Sequence, residues 1–232
     1  MKKAVSSIIL LLSLWPAFGQ LDSLAVQIND EKYFEDQFYV GVYYNALLDQ
    51  PTDIGQSKLS YGVHGGFIKD LPLNKSRTVA IGLGAGLAYQ SINTELRARK
   101  LSNGTIVYNP VAPGLTYRRN TISFASAELP LELRWRASSP TRYKFWRVYA
   151  GFKLNYILEA RSSFVTQDVK ESFKNDDVNS WLYGTYLTFG YNTWNFYIYY
   201  QLNTLFEEGV QTASGEPIDS RSLQVGLMFY IL

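Results

Sequence analysis

The strongest constraint on this chain is a period of two. Over residues 79–91, Val79, Ile81, Leu83, Ala85, Leu87 and Tyr89 fall on one face, and Ala80, Gly82, Gly84, Gly86, Ala88 and Gln90 on the other. Successive side chains of a strand point to opposite sides, so this segment has one apolar face and one face of very small residues. A helix would need apolar residues three and four apart, and glycine at alternate positions weakens it further. The same alternation places strands at residues 38–47, 59–71, 121–136, 147–159, 181–191, 194–202 and 223–231. In 121–136, Ala125, Ala127, Leu129, Leu131, Leu133 and Trp135 oppose Ser126, Glu128, Glu132, Arg134 and Arg136. In 147–159, Val148, Ala150, Phe152, Leu154 and Tyr156 oppose Tyr149, Gly151, Lys153 and Asn155.

Each segment is long enough to cross a bilayer as a tilted strand, which takes about 9–11 residues. The connections alternate as well. Residues 72–78, 137–146 and 192–193 are short, whereas 48–58, 95–120, 160–180 and 203–222 are long or polar. This layout predicts an all-β fold: an eight-stranded antiparallel transmembrane β-barrel of the outer membrane, with short periplasmic turns and long extracellular loops. An even number of strands puts both termini in the periplasm, with the basic residues Lys75, Arg77, Arg142, Lys144 and Arg147 on that side. The alternative is a secreted soluble sandwich, whose second face would be polar and exposed. Here the second face is mostly Gly, Ala, Ser and Tyr, which suits a narrow barrel interior. Aromatic residues gather at strand ends as expected for interfacial girdles: Trp135, Phe145, Trp146 and Trp194 at one side, Tyr44, Tyr89 and Trp181 at the other.

Residues 1–19 read as a secretory signal peptide. Lys2 and Lys3 precede an apolar stretch over 4–14, and Ala17 and Gly19 predict cleavage before Gln20. The alternative, an uncleaved anchor, falls short of the roughly 20 apolar residues of a spanning helix, and Pro16 interrupts its end. Residues 20–35 are then a periplasmic lead-in and 36–232 the barrel. The chain has 22 Lys+Arg against 20 Asp+Glu, and without Lys2 and Lys3 the balance is 20 against 20. A neutral chain is a poor ligand for phosphate backbones, so no nucleic-acid partner is expected. With 0 Cys and 1 His, disulfides, thiolate zinc sites, cysteine nucleophiles, a lipoprotein anchor and a histidine-based metal site fall away, and no cofactor is expected.

Eight strands enclose room for side chains and not for an aqueous channel. Strict alternation puts Glu128, Glu132, Arg134, Lys153, Glu159 and Arg161 inside, with Lys153 across from Glu128 or Glu132. Such a set is a charge-neutral plug, because buried charges must be paired; the alternative is a polar path for ions or protons. Pro130 lies inside a strand and removes a ladder hydrogen bond, which predicts a bulge or local break. His64 is the single candidate for histidine-driven catalysis, with Ser60 or Ser91 as conceivable nucleophiles, against a lumen-facing histidine packed among Gly62, Gly66 and tyrosines. Gly82, Gly84 and Gly86 sit in mid-strand with no helix after them, so they are not a phosphate loop.

Two runs carry a family resemblance. Ala127-Glu128-Leu129-Pro130-Leu131-Glu132-Leu133-Arg134-Trp135-Arg136 and Phe145-Trp146-Arg147-Val148-Tyr149-Ala150-Gly151-Phe152-Lys153 resemble the PorT family of outer-membrane barrels. Asp36-Gln37-Phe38-Tyr39-Val40-Gly41 and the stretch from Gly62 to Asn74 resemble PorT and its gliding-motility counterpart SprT. The resemblance implies a component of the type IX secretion system, which exports proteins bearing a C-terminal signal and delivers adhesins in gliding relatives. It brings no catalytic residues. The function expected from it is non-enzymatic, through contacts with outer-membrane lipid and with translocon or assembly subunits. The alternatives are a lipid-modifying enzyme centred on His64 and a generic barrel binding ligands through residues 95–120.

Overall fold

The computed structural model describes residues 37–137 and 145–231. The signal peptide and lead-in expected over residues 1–35, and the turn residues Arg142 and Lys144, lie outside them. The described chain is built from strands: β1 (Gln37–Leu48), β2 (Tyr61–Pro72), β3 (Val79–Asn93), β4 (Leu96–Lys100), β5 (Ile106–Pro110), β6 (Arg119–Arg136), β7 (Trp146–Val165), β8 (Lys170–Lys174), β9 (Trp181–Tyr191), β10 (Trp194–Gln201) and β11 (Arg221–Ile231). The order β6-β3-β2-β1-β11-β10-β9-β7, with β6 also pairing β7, closes an eight-stranded antiparallel barrel. Closure leaves no sheet edge, which is what a spanning β-structure requires, because an unpaired peptide group in hydrocarbon costs several kcal/mol.

The alternation read from the sequence is the alternation of burial. β9 reads exposed, buried, exposed throughout, and so does β10. The outward set is large and apolar: Leu83, Leu87, Leu129, Leu131, Leu133, Phe196 and Ile198 are exposed, Leu87 by 64%. A continuous apolar wall of this kind on a water-soluble protein would be an aggregation surface; around a barrel it is the face turned to lipid. Trp135, Trp146 and Trp194 stand outward at the short-turn end, and Tyr44, Tyr89 and Trp181 outward towards the long loops. Phe145 departs from the expected girdle. It is buried and lies against the Arg147 guanidinium, 4.7 Å from its ring centroid.

The long connections are more structured than the sequence suggested. β4 and β5 form a hairpin within the second long loop, and β8 extends β7 beyond the barrel. Residues from all four long loops meet in one apolar cluster with the upper ends of the strands: Ile54, Leu96, Ala98, Tyr108, Val178, Leu205, Phe206 and Ile218 pack against Ile92, Phe124 and Leu182. Loop-to-loop hydrogen bonds fix it, including Glu95 N to Gly55 O at 2.9 Å and Asn179 N to Leu205 O at 2.9 Å. The Tyr108 hydroxyl donates to Asn175 Oδ1 and Asp177 Oδ2, both at 3.0 Å. Burial and the nearby Asp177 carboxylate push its pKa well above the usual tyrosine value. The long-loop end therefore carries a compact cap with its own core.

Candidate functional site in the barrel lumen

The lumen is packed in three levels. Nearest the cap is an amide level. Asn45 Nδ2 donates to Gln90 Oε1 at 2.6 Å, Ser222 Oγ donates to Asn45 Oδ1 at 2.5 Å, and Gln224 Nε2 reaches Gln90 Oε1 at 3.3 Å. At mid-barrel stands Glu128. Its Oε1 accepts from Tyr39 Oη at 2.6 Å and lies 3.2 Å from His64 Nδ1, and its Oε2 is 3.1 Å from Lys153 Nζ. Lys153 also donates to Tyr197 Oη at 2.8 Å. Nearest the short turns is an arginine level. Arg134 Nε donates to Glu132 Oε2 at 2.6 Å and its Nη1 to Asp70 Oδ1 at 2.9 Å, while Arg136 pairs with the other oxygen of Asp70. Tyr186 Oη donates to Glu132 Oε1 at 2.6 Å.

Small residues make this filling possible. A Cβ on Gly86 would lie 2.1 Å from Tyr39 Oη, one on Gly41 2.1 Å from His64 Nε2, and one on Gly82 2.7 Å from Arg134 Nε. Each inward glycine leaves the space that a neighbouring large side chain occupies, as layered packing in a narrow barrel demands.

Glu128, Glu132, Arg134 and Lys153 are thus brought together inside, with Lys153 on Glu128. Glu159 and Arg161 are not. Both are exposed and pair with each other at 2.7 Å outside the lumen. The cause is a bulge. The β6–β7 register runs Ser126 opposite Ile157 but Ala125 opposite Glu159, so Leu158 is the extra residue. It resets the phase of β7, turning Ala160, Ser162 and Phe164 inward. Arg147, expected among the basic turn residues on the periplasmic side, is also corrected: it is buried in the lumen, cross-strand from Arg136. At Pro130 the β6–β7 register is continuous. The β3–β6 pairing skips Gly84 and Ala85 opposite Leu129 and Pro130, then resumes unshifted at Gly86.

Sequence reasoning missed Asp70. Asp70 is six positions from His64 and shares its phase, so extending the alternation through β2 would have found it. Tyr39, Tyr43, Tyr149, Tyr186, Tyr197, Tyr199 and Tyr230 all point inward and are buried.

The geometry gives His64 little catalytic reach. Its Nδ1 faces Glu128 and Lys153, and its Nε2 is directed at the Gly41 backbone. Ser60 Oγ is engaged instead with Gln56 and Asn93. A general base must be within hydrogen-bond reach of its nucleophile, and neither Ser60 nor Ser91 hydrogen-bonds to His64.

An eight-stranded antiparallel barrel with an apolar outer wall, an aromatic rim at each end and a packed polar interior is an outer-membrane barrel. The chain belongs to the outer membrane protein beta-barrel domain family, whose model matches residues 18–207. Comparison with curated proteins gives no match. Among solved structures, the chain is similar to Ail, the attachment invasion locus protein of Yersinia pestis, solved with the heparin analogue sucrose octasulfate. The identity is 12% and the TM-score 0.38, over 84% of this chain and 97% of that one. A porin mutant of Rh. blastica follows at 8% identity and TM-score 0.22, over 86% of this chain and 100% of that one.

Proposed function

We propose that this barrel is a non-enzymatic component of type IX protein secretion and gliding motility, acting through contacts with other secretion subunits. The observation that carries the reading is the filled lumen. A barrel packed by the Glu128–Lys153 and Glu132–Arg134–Asp70–Arg136 groups, with a cap over one end, leaves no route for a folded cargo, so its work falls to its outer surfaces. The resemblance of residues 127–136 and 145–153 to the PorT family supplies the system. In this reading the short turns and both ends of the barrel chain face the periplasm, and translocon or assembly subunits meet the periplasmic turns or the lipid-facing wall. Deleting the gene and assaying export of a cargo with a C-terminal secretion signal tests it: export stops if the reading holds, and normal export overturns it. Pull-down of the tagged protein from detergent-solubilised outer membrane should recover translocon subunits.

A second reading, a barrel that binds surface ligands, is favoured by one observation, the ordered cap with its β4–β5 hairpin. Removing residues 95–120 separates the two. Secretion survives the deletion in the first reading, and ligand binding is lost in the second.

A further inference from the structure

Arg147 is a buried cation with no counter-charge among the described residues. It is the second residue of β7, 4% exposed, and its Nε and Nη1 have no hydrogen-bond partner among the described residues. Its contacts are aromatic: the guanidinium lies 4.7 Å from the Phe145 ring centroid and 5.8 Å from that of Tyr230. Rings hold a guanidinium in place but do not neutralise it. The surrounding level does not neutralise it either. Asp70 is occupied by Arg134 and Arg136, and Glu132 by Arg134, Tyr186 and Tyr230.

Other unpartnered polar atoms occupy the same level. Gln37 begins β1 and is fully buried with neither amide atom bonded. Arg134 Nη2, Tyr149 Oη and Asn195 Oδ1 are likewise buried and unpaired. A buried charge without a counter-charge costs several kcal/mol, and buried polar groups are ordinarily bonded. Just inside one mouth, then, a guanidinium with two unpartnered donors lies among other unsatisfied polar groups, with no carboxylate among the described residues paired to it.

We propose that the short-turn mouth binds an oxyanion, seated on Arg147. A guanidinium donates charge-assisted hydrogen bonds to a carboxylate or a phosphate, and Nε and Nη1 are its donors without a partner. The anion enters from the short-turn end, because the Glu132–Arg134 pair blocks the lumen behind Arg147. The two sources of this chemistry are a free phosphate-type anion and the carboxylate of a polypeptide that reaches the mouth. The inference stands on the geometry of this level and does not depend on the secretion reading.

The test uses the full chain in detergent micelles at constant ionic strength, with titration calorimetry and thermal melting. Inorganic phosphate is one probe and a triglutamate peptide the other. At least one binds saturably and raises the melting temperature, and Arg147→Met weakens that response at least tenfold. Arg147→Lys, which keeps the charge but loses the guanidinium donors, falls between. A response to phosphate alone assigns the free anion, and a response to the peptide alone assigns the carboxylate. No saturable response to either probe, or an undiminished response in Arg147→Met, overturns the site. In probe-free buffer Arg147→Met and Arg147→Gln melt at or above the wild-type temperature. A lower melting temperature or failure to fold in both shows that Arg147 is already paired within the fold, and also overturns it.

Discussion

At the residue scale, the interior is a set of matched charges whose members cannot be removed singly. Glu128 is shared by Tyr39, His64 and Lys153, all buried. Glu128→Gln leaves Lys153 as an uncompensated cation in a low-dielectric interior, so it should destabilise the barrel by about 3–5 kcal/mol. Adding Lys153→Met to that variant should restore most of the loss. Urea unfolding of the four proteins in lipid vesicles gives the coupling, and additive losses would mean that the pair is not a unit. Glu128, Glu132, Arg134 and Lys153 were all legible from one register because strict alternation holds along β6 and the first half of β7. Glu159 and Arg161 were misplaced because alternation cannot see an inserted residue. Nothing in the local composition around Leu158 marks it as a bulge.

At the element scale, that bulge is directly testable, and the chain is suited to it because it contains 0 Cys. Single cysteines at positions 159 and 161 should react readily with a water-soluble maleimide on the folded protein. One at position 162, where Ser162 is 3% exposed, should stay protected until unfolding. Equal labelling at 161 and 162 would remove the phase reset. The eight barrel strands were readable because each carries enough alternating positions to be distinctive. β4, β5 and β8 were not, since each has 5 residues and is fixed by tertiary contacts in the cap. Arg147 and Phe145 were misread for a related reason. Arg147 is the second residue of β7, where charge suggests a turn but the pleat decides which way the side chain points, and Phe145, one residue before β7, lies against its guanidinium.

At the scale of the whole molecule, orientation and closure each make a measurable claim. With the long loops outside, Asn103→Cys in the exposed β4–β5 turn labels in intact cells with an impermeant reagent, and Lys75→Cys in the β2–β3 turn does not. The reverse pattern would invert the barrel in the membrane. Closure predicts that the purified protein adds no conductance above background in planar bilayers. Single-channel steps would mean that the packed levels open. The architecture as a whole was legible, because barrel strand number follows from counting alternating segments. The cap was not, because its core joins residues as far apart in sequence as Ile54 and Ile218, whose pairing no local pattern announces.

The packed interior also bears on how the cell can use the protein. An open pore ties the number of copies in a membrane to how freely small solutes cross it, so its abundance must be limited. Here the amide, glutamate and arginine levels occlude the bore from one end to the other. If the protein works through its outer surfaces as proposed, its expression can follow demand for them, with the membrane's permeability barrier left as it was.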